Sequence, residues 1–143
     1  MLQSLRVKNF ALIEELEVNF GEGLNILTGE TGAGKSILLG SIQTALGAKT
    51  SRDFIRTGEA SAVVELVFED CSDAVCEELV KQELTPEGRS VTISRKLTES
   101  GKSVCRINGE IVTTAAVKSI GSLLLEIHGQ QEHHTLLNSE KHL

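Results

Sequence analysis

Gly29-Glu30-Thr31-Gly32-Ala33-Gly34-Lys35-Ser36 has the spacing G-x-x-x-x-G-K-[ST] of a phosphate-binding loop. A short apolar run, Leu24-Asn25-Ile26-Leu27, leads into it, and an apolar-periodic segment from Ile37 to Leu46 leaves it. Strand, glycine-rich loop and helix in that order are the context the motif requires, and they point to an α/β P-loop NTPase fold. The three glycines free the backbone to take positive φ and to approach an anion with no Cβ in the way. Successive N–H groups then form a concave nest for phosphate oxygens. A helix beginning near Lys35 aims its unpaired N–H groups and positive dipole end at the same point. Lys35 reaches the β- and γ-phosphates as a point charge, and the Ser36 hydroxyl holds Mg²⁺. The competing reading is a glycine-rich turn before a helix that happens to contain a Lys; the agreement of motif and context argues against it. The motif alone does not separate ATP from GTP.

On the N-terminal side, Leu5, Val7 and Asn9 alternate with Arg6, Lys8 and Phe10, the period-2 pattern of a strand. A second strand-like run covers Leu12–Phe20, and Gly21-Glu22-Gly23 turns into the loop strand. Three strands with such short links favour antiparallel pairing at the front of the sheet. A small GTPase, by contrast, places its loop after the first strand.

On the C-terminal side, Gly47 supplies the left-handed position that ends the helix. The polar link Ala48–Gly58 carries Lys49, Arg52 and Arg56. Its arginines are read first as solvated and alternatively as contacts to phosphate or DNA backbone, because guanidinium matches phosphate geometry. Ala62–Glu69 reads as a strand, and Asp70–Asp73 offers N-caps for a helix from Ala74 to Glu83. Val91, Ile93, Arg95 and Leu97 alternate with Thr92, Ser94 and Lys96. Ser100-Gly101 turns the chain into Val104–Ile107, and Asn108-Gly109 turns it again into Glu110–Val112. Arg95, Lys96, Lys102 and Arg106 gather about this hairpin, as a solvated two-sided sheet or, alternatively, as a DNA-facing patch. Thr113 or Thr114 caps a helix running through Leu123, and Leu124–Ile127 reads as a short buried strand.

The 143 residues make room for one domain with a real core. A net charge of −6 gives no general basic footprint for nucleic acid, so any DNA contact needs a local patch or further chain. No run approaches the ~20 apolar residues of a membrane span. The start Met1–Arg6 lacks the regions of a signal peptide. Cys71, Cys76 and Cys105, with no C-x-x-C spacing, read as reduced thiols of a cytoplasmic protein and as small packing residues.

A second polar constellation is His128-Gly129-Gln130-Gln131-Glu132-His133-His134. Gln130, just beyond an apolar run, is a candidate Mg²⁺ ligand through its amide oxygen; a polar strand exit is the simpler reading. The histidines have no companion at a recognised zinc spacing and read as surface-loop residues. No long apolar strand ends in Asp or Asp-Glu: the best runs end in Glu69 and Glu126. Nor is there an L-S-G-G-type signature. Half of an active site is present.

Met1–Ile13, Gly23–Ser36 and Leu125–Gln130 together resemble the start of the RecN family, bacterial SMC-like DNA repair ATPases. Gln131 and His134 depart from that family's pattern, while Gln130 keeps it. The resemblance implies an ABC/SMC-type head lobe with a mixed sheet, antiparallel at the front and in the middle. It implies that residues 1–143 are the N-terminal lobe, a single domain cut before a coiled coil. The C-terminal half of the head would supply the signature and the Walker B acid. ATP would lie on Gly29, Glu30, Thr31, Gly32, Ala33, Gly34, Lys35 and Ser36, with Asn9 near the base or ribose and Mg²⁺ on Ser36 and Gln130. Lys35 is the catalytic candidate. Two heads would dimerise around ATP, and hydrolysis would serve repair of DNA double-strand breaks through the full-length protein. That protein would be cytoplasmic, nucleoid-associated on DNA damage, and without a membrane partner; the lobe alone would have almost no ATPase activity. The alternative is a non-catalytic nucleotide- or partner-binding module. A transporter ABC subunit fits the Asn9-Phe10 opening less well.

Overall fold

Among the described residues, alternating apolar positions build six strands: β1 (Leu2–Phe10), β2 (Ile13–Asn19), β3 (Ser61–Phe68), β4 (Val91–Thr98), β5 (Ser103–Ile107) and β6 (Glu110–Val112). Three α-helices accompany them there: α1 (Gly32–Ala45), α2 (Asp73–Lys81) and α3 (Thr114–Ile127). The computed structural model describes residues 2–20 and 32–127, with the backbone alone at 32–36 and 125–127.

The strands form one sheet in the order β2-β1-β3-β4-β5-β6. Every pairing among them is antiparallel. The two-residue links of β1–β2 and β5–β6 can only reverse a strand. Asn108 and Gly109 both take positive φ, at 52° and 85°, as the tight turn between β5 and β6 requires. The loop strand expected at Leu24–Leu27, where any parallel member of a mixed sheet would arise, lies outside the described residues.

One sheet face is apolar and covered by helices. Leu5, Val7, Val64, Leu66, Ile93 and Ile107 are fully buried on it. They meet Leu38 and Ala45 of α1, Val75 and Leu79 of α2, and Val117, Ile120 and Leu124 of α3 in one core. The opposite face interleaves charges. Arg6 pairs with Glu17 on one side and Glu65 on the other, and Lys8 pairs with Glu15. Lys96 and Arg106 are exposed on that face.

The local signals work as their chemistry suggests. Ser72 caps α2, its hydroxyl accepting from the Val75 N–H at 3.3 Å. Thr113 caps α3, accepting from the Ala116 N–H at 3.1 Å. Two expectations are corrected. Leu124–Ile127 is the last turn of α3 and not a strand. A short, mostly apolar run such as Leu-Leu-Glu-Ile looks alike in a strand and in a buried helix, and here the helix begun at Thr114 simply continues. The alternation of β1 also breaks: Phe10, not Asn9, follows Leu5 and Val7 into the core. Asn9 has φ +54°, a left-handed residue that shifts the phase by one.

Cys71 and Cys105 are buried, and burial pushes both thiols up from their ordinary range. Cys76 is half-exposed. A thiol reagent added to the folded chain at neutral pH should therefore modify Cys76 first. The other two should react only as fast as the protein opens. Simultaneous reaction of all three, read by peptide mass, would contradict this burial order.

Candidate nucleotide site

The helix that carries the site starts inside the glycine-rich motif. α1 begins at Gly32, so Gly32, Ala33, Gly34 and Lys35 form its first turn and Ser36 opens the second. In an α-helix the first four N–H groups have no partner within the helix. They and the positive dipole end are thus presented at the helix start, where the motif places phosphate. The donor set suits Mg²⁺-nucleotide: a lysine ammonium for phosphate and a serine hydroxyl for the cation. Gly29, Glu30, Thr31 and Gln130 lie outside the described residues, as do His128, His133 and His134.

α1 is seated from Leu38 to Ala45. Leu38, Ser41, Thr44 and Ala45 are buried against the sheet. The two hydroxyls are satisfied inside the helix: Ser41 Oγ donates to the Leu38 carbonyl at 2.7 Å, and Thr44 Oγ1 donates to the Gly40 carbonyl at 2.8 Å. The helix closes with two backbone bonds: Ala48 N–H donates to Gln43 at 3.0 Å and Gly47 N–H to Thr44 at 3.2 Å. This is the left-handed termination foreseen at Gly47, whose φ is +106°. No side chain fits there, because a Cβ would stand 2.7 Å from Cγ of Lys118 on α3.

Arg95 overturns its assignment to a solvated or DNA-facing hairpin. It is only 5% exposed and points from β4 into the core. Its Nη1 donates to the Thr44 carbonyl at 2.9 Å and to the Ala48 carbonyl at 2.6 Å, and its Nη2 donates to Ser103 Oγ at 3.3 Å. The signal was in its phase, since Arg95 falls in step with Val91, Ile93 and Leu97 on the apolar side. A lone cation on such a face calls for buried acceptors, and the end of α1 supplies them.

Asn9 sits at the end of β1, beside the link that follows α1. Its carbonyl accepts from the Arg56 N–H at 2.8 Å, and its Nδ2 approaches Glu59 Oε1 at 3.4 Å. Next to it, Phe10 and Phe54 pack with ring centroids 5.6 Å apart at 53°. They form one wall of an apolar cleft of about 290 Å³; Ile37, Gly40 and Gln43 of α1 form the other. This aromatic pair was not read from the sequence. Arg52 is exposed and lines a second groove of about 310 Å³ with Thr50, Ser51, Thr98, Ser100 and Lys102. Two cations and four hydroxyls line this groove, and no carboxylate does. Arg56 is half-buried and does not line it. The cations expected to cluster about the hairpin are therefore divided: Arg95 inside, Lys96 and Arg106 on the outer sheet face, Lys102 in the groove.

Comparisons with known proteins agree with this geometry. A family model described as an AAA domain matches residues 4–141. The DNA repair protein RecN of Bacillus subtilis is 45% identical over the whole chain, which spans 25% of that relative's length. The match is to the N-terminal part of such proteins. A solved structure from work on ATP-driven dimerization and DNA-stimulated activation of SMC ATPases superposes with a TM-score of 0.66 at 22% identity. It covers 85% of this chain and 78% of that one. An SMC head domain from Thermotoga maritima gives a TM-score of 0.57 at 23% identity, over 82% of this chain and 41% of that one. The fold is therefore that of an ATPase head lobe.

Proposed function

We propose, from the premise that this chain belongs to the AAA domain family, that it is the ATP-binding lobe of a RecN-like DNA repair ATPase. The observation that carries this is the start of α1 inside the glycine-rich motif, on a chain alike throughout its length to part of a DNA repair protein. Gly29 to Ser36 hold the triphosphate, with Lys35 on its outer phosphates. Mg²⁺, which would neutralise phosphate charge, falls to Ser36 and Gln130. Asn9 lies near the base or ribose, a placement supported by its position beside the cleft that flanks α1.

Because the chain spans about a quarter of its relative's length, the complete reaction belongs to the whole protein. The residues at hand bind and orient nucleotide; the C-terminal half of the head and a second head complete the site. DNA is handled by the full-length protein in the cytoplasm. The acid-free groove of Arg52 and Lys102 is the local cationic surface that an acidic lobe needs for phosphate backbone. Calorimetry tests the reading: the chain should bind ATP–Mg²⁺ with measurable heat and hydrolyse almost none. Absence of binding in both the chain and the full-length protein would sink it.

A further inference from the structure

We propose that Arg95 is a positioning residue for the nucleotide site, holding the C-terminal end of α1 from the centre of the sheet and so setting the line along which that helix presents its first turn to phosphate. The inference rests on the nucleotide-binding reading above. The guanidinium is 95% buried by its 5% exposure, and no carboxylate contacts it among the described residues. Its compensation is the helix end itself. One nitrogen, Nη1, grips carbonyls on both sides of the Gly47 turn, Thr44 within α1 and Ala48 beyond it. The negative dipole end of α1 favours the cation there. Leaving Nε without a partner is a cost that an apolar side chain of similar length would avoid. A residue needed only to fill this space would therefore be Met or Leu; the charge answers to what it grips.

Where Arg95 stands makes the grip consequential. It pairs across β4 with Val64 of β3 and with Cys105 of β5, in the interior of the sheet. Its second nitrogen reaches Ser103 at the start of β5. The sheet, the hairpin and the helix terminus thus meet on one side chain. A 14-residue helix is about 20 Å long. A tilt of roughly 5° about its middle carries the far end about 1 Å, a displacement that costs on the order of a hundredfold where geometry matters. Restraining the C-terminal end restrains the phosphate end.

The test compares wild type, Arg95→Met and Arg95→Lys in the 143-residue chain, well below the melting midpoint of each variant, where circular dichroism reports full folding. Two quantities are read: ATP–Mg²⁺ affinity by calorimetry, and amide hydrogen exchange at Ile37–Gly40, toward the opposite end of α1, without nucleotide. Arg95→Met should weaken affinity about tenfold and speed that exchange several-fold. Arg95→Lys should recover at least half of each loss, because it restores charge and one donor. A folded Arg95→Met with unchanged affinity and unchanged exchange would overturn the proposal, since a merely structural Arg would shift only the melting midpoint. If the wild-type chain binds no nucleotide, affinity is read in the full-length protein instead, and absence of binding there too ends the function; faster exchange at Ile37–Gly40 would still support control of the helix by Arg95, and unchanged exchange would end it. If Arg95→Met does not fold, Arg95→Lys decides: about threefold weaker binding supports the role, and wild-type affinity with wild-type exchange removes it.

Discussion

Lys35→Ala in the full-length protein should slow ATP turnover by at least about a hundredfold. The ammonium is the only full positive charge within the motif Gly29–Ser36, and the Lys35 backbone belongs to the first turn of α1, whose unpaired N–H groups would face phosphate in the proposed site. Removing it leaves the outer phosphates against partial charges alone. Losing one partner of a charge-assisted contact costs roughly 3 kcal/mol, which is about two decades in an equilibrium or rate constant. Alanine is the best helix former, so α1 should persist. The variant should therefore melt like wild type while losing activity. Steady-state phosphate release, measured beside a melting curve, checks both halves of the statement. Normal turnover by a folded Lys35→Ala protein would remove the P-loop assignment and the proposed function with it.

Leu66→Ala should cost about 3 kcal/mol of stability and lower the melting midpoint of this chain by roughly 10 °C. Leu66 is fully buried on β3, and β3 is flanked by β1 and β4. It pairs with Leu5 on one side and with Ile93 on the other, so three fully buried apolar side chains lie in one row across the sheet. Truncation leaves a cavity that flanking strands on both sides cannot collapse into, so the loss exceeds simple transfer of the removed carbons. A domain of this size has about 5–15 kcal/mol in total, and the variant should remain folded at room temperature. Urea titration checks the magnitude. A loss below about 1 kcal/mol would mean that the row is not the centre of the core.

The contrast between these two residues shows what sequence can reveal. Lys35 was read as a phosphate contact because a phosphate nest imposes residue types at fixed spacing within eight residues. Leu66 was legible as a strand residue because alternation is local, although its place beside Leu5 and Ile93 was not. Pairing across the sheet depends on which strands meet after α1 intervenes, and no short-range signal carries that. Leu124–Ile127 failed for a related reason: four residues are too few to show a period, and only the helix before them decides their state. Arg95 had the right phase in the sequence, but its charge suggested water. A buried arginine is recognised only when its acceptors are known, and these are carbonyls 47 and 51 residues away. Asn9 was picked out, yet its left-handed backbone and its tie to Arg56 emerge only from the fold.

The ladder between β1 and β3 has a consequence for how the chain assembles. Every other strand pair joins neighbours in sequence, β1 with β2 and β3 through β6 in succession. The turns of β1–β2, β4–β5 and β5–β6 close early and at little entropic cost, and the β3–β4 connection through α2 closes over less than half the chain that separates β1 from β3. The β1–β3 ladder alone must close over the glycine-rich motif and α1, and α1 packs across β1, β3 and β4. The chain should thus fold as two independent pieces, a front hairpin and a four-strand meander, that meet in the slow step. The helix meant for phosphate has no complete seat until that meeting. In pulse-labelled hydrogen exchange during refolding, the amides of β4 and β5 should gain protection before those of α1; the reverse order would show that α1 nucleates folding. On a ribosome, half of the seat is made only after the helix has emerged, so the nucleotide-binding element waits on the strands synthesised behind it.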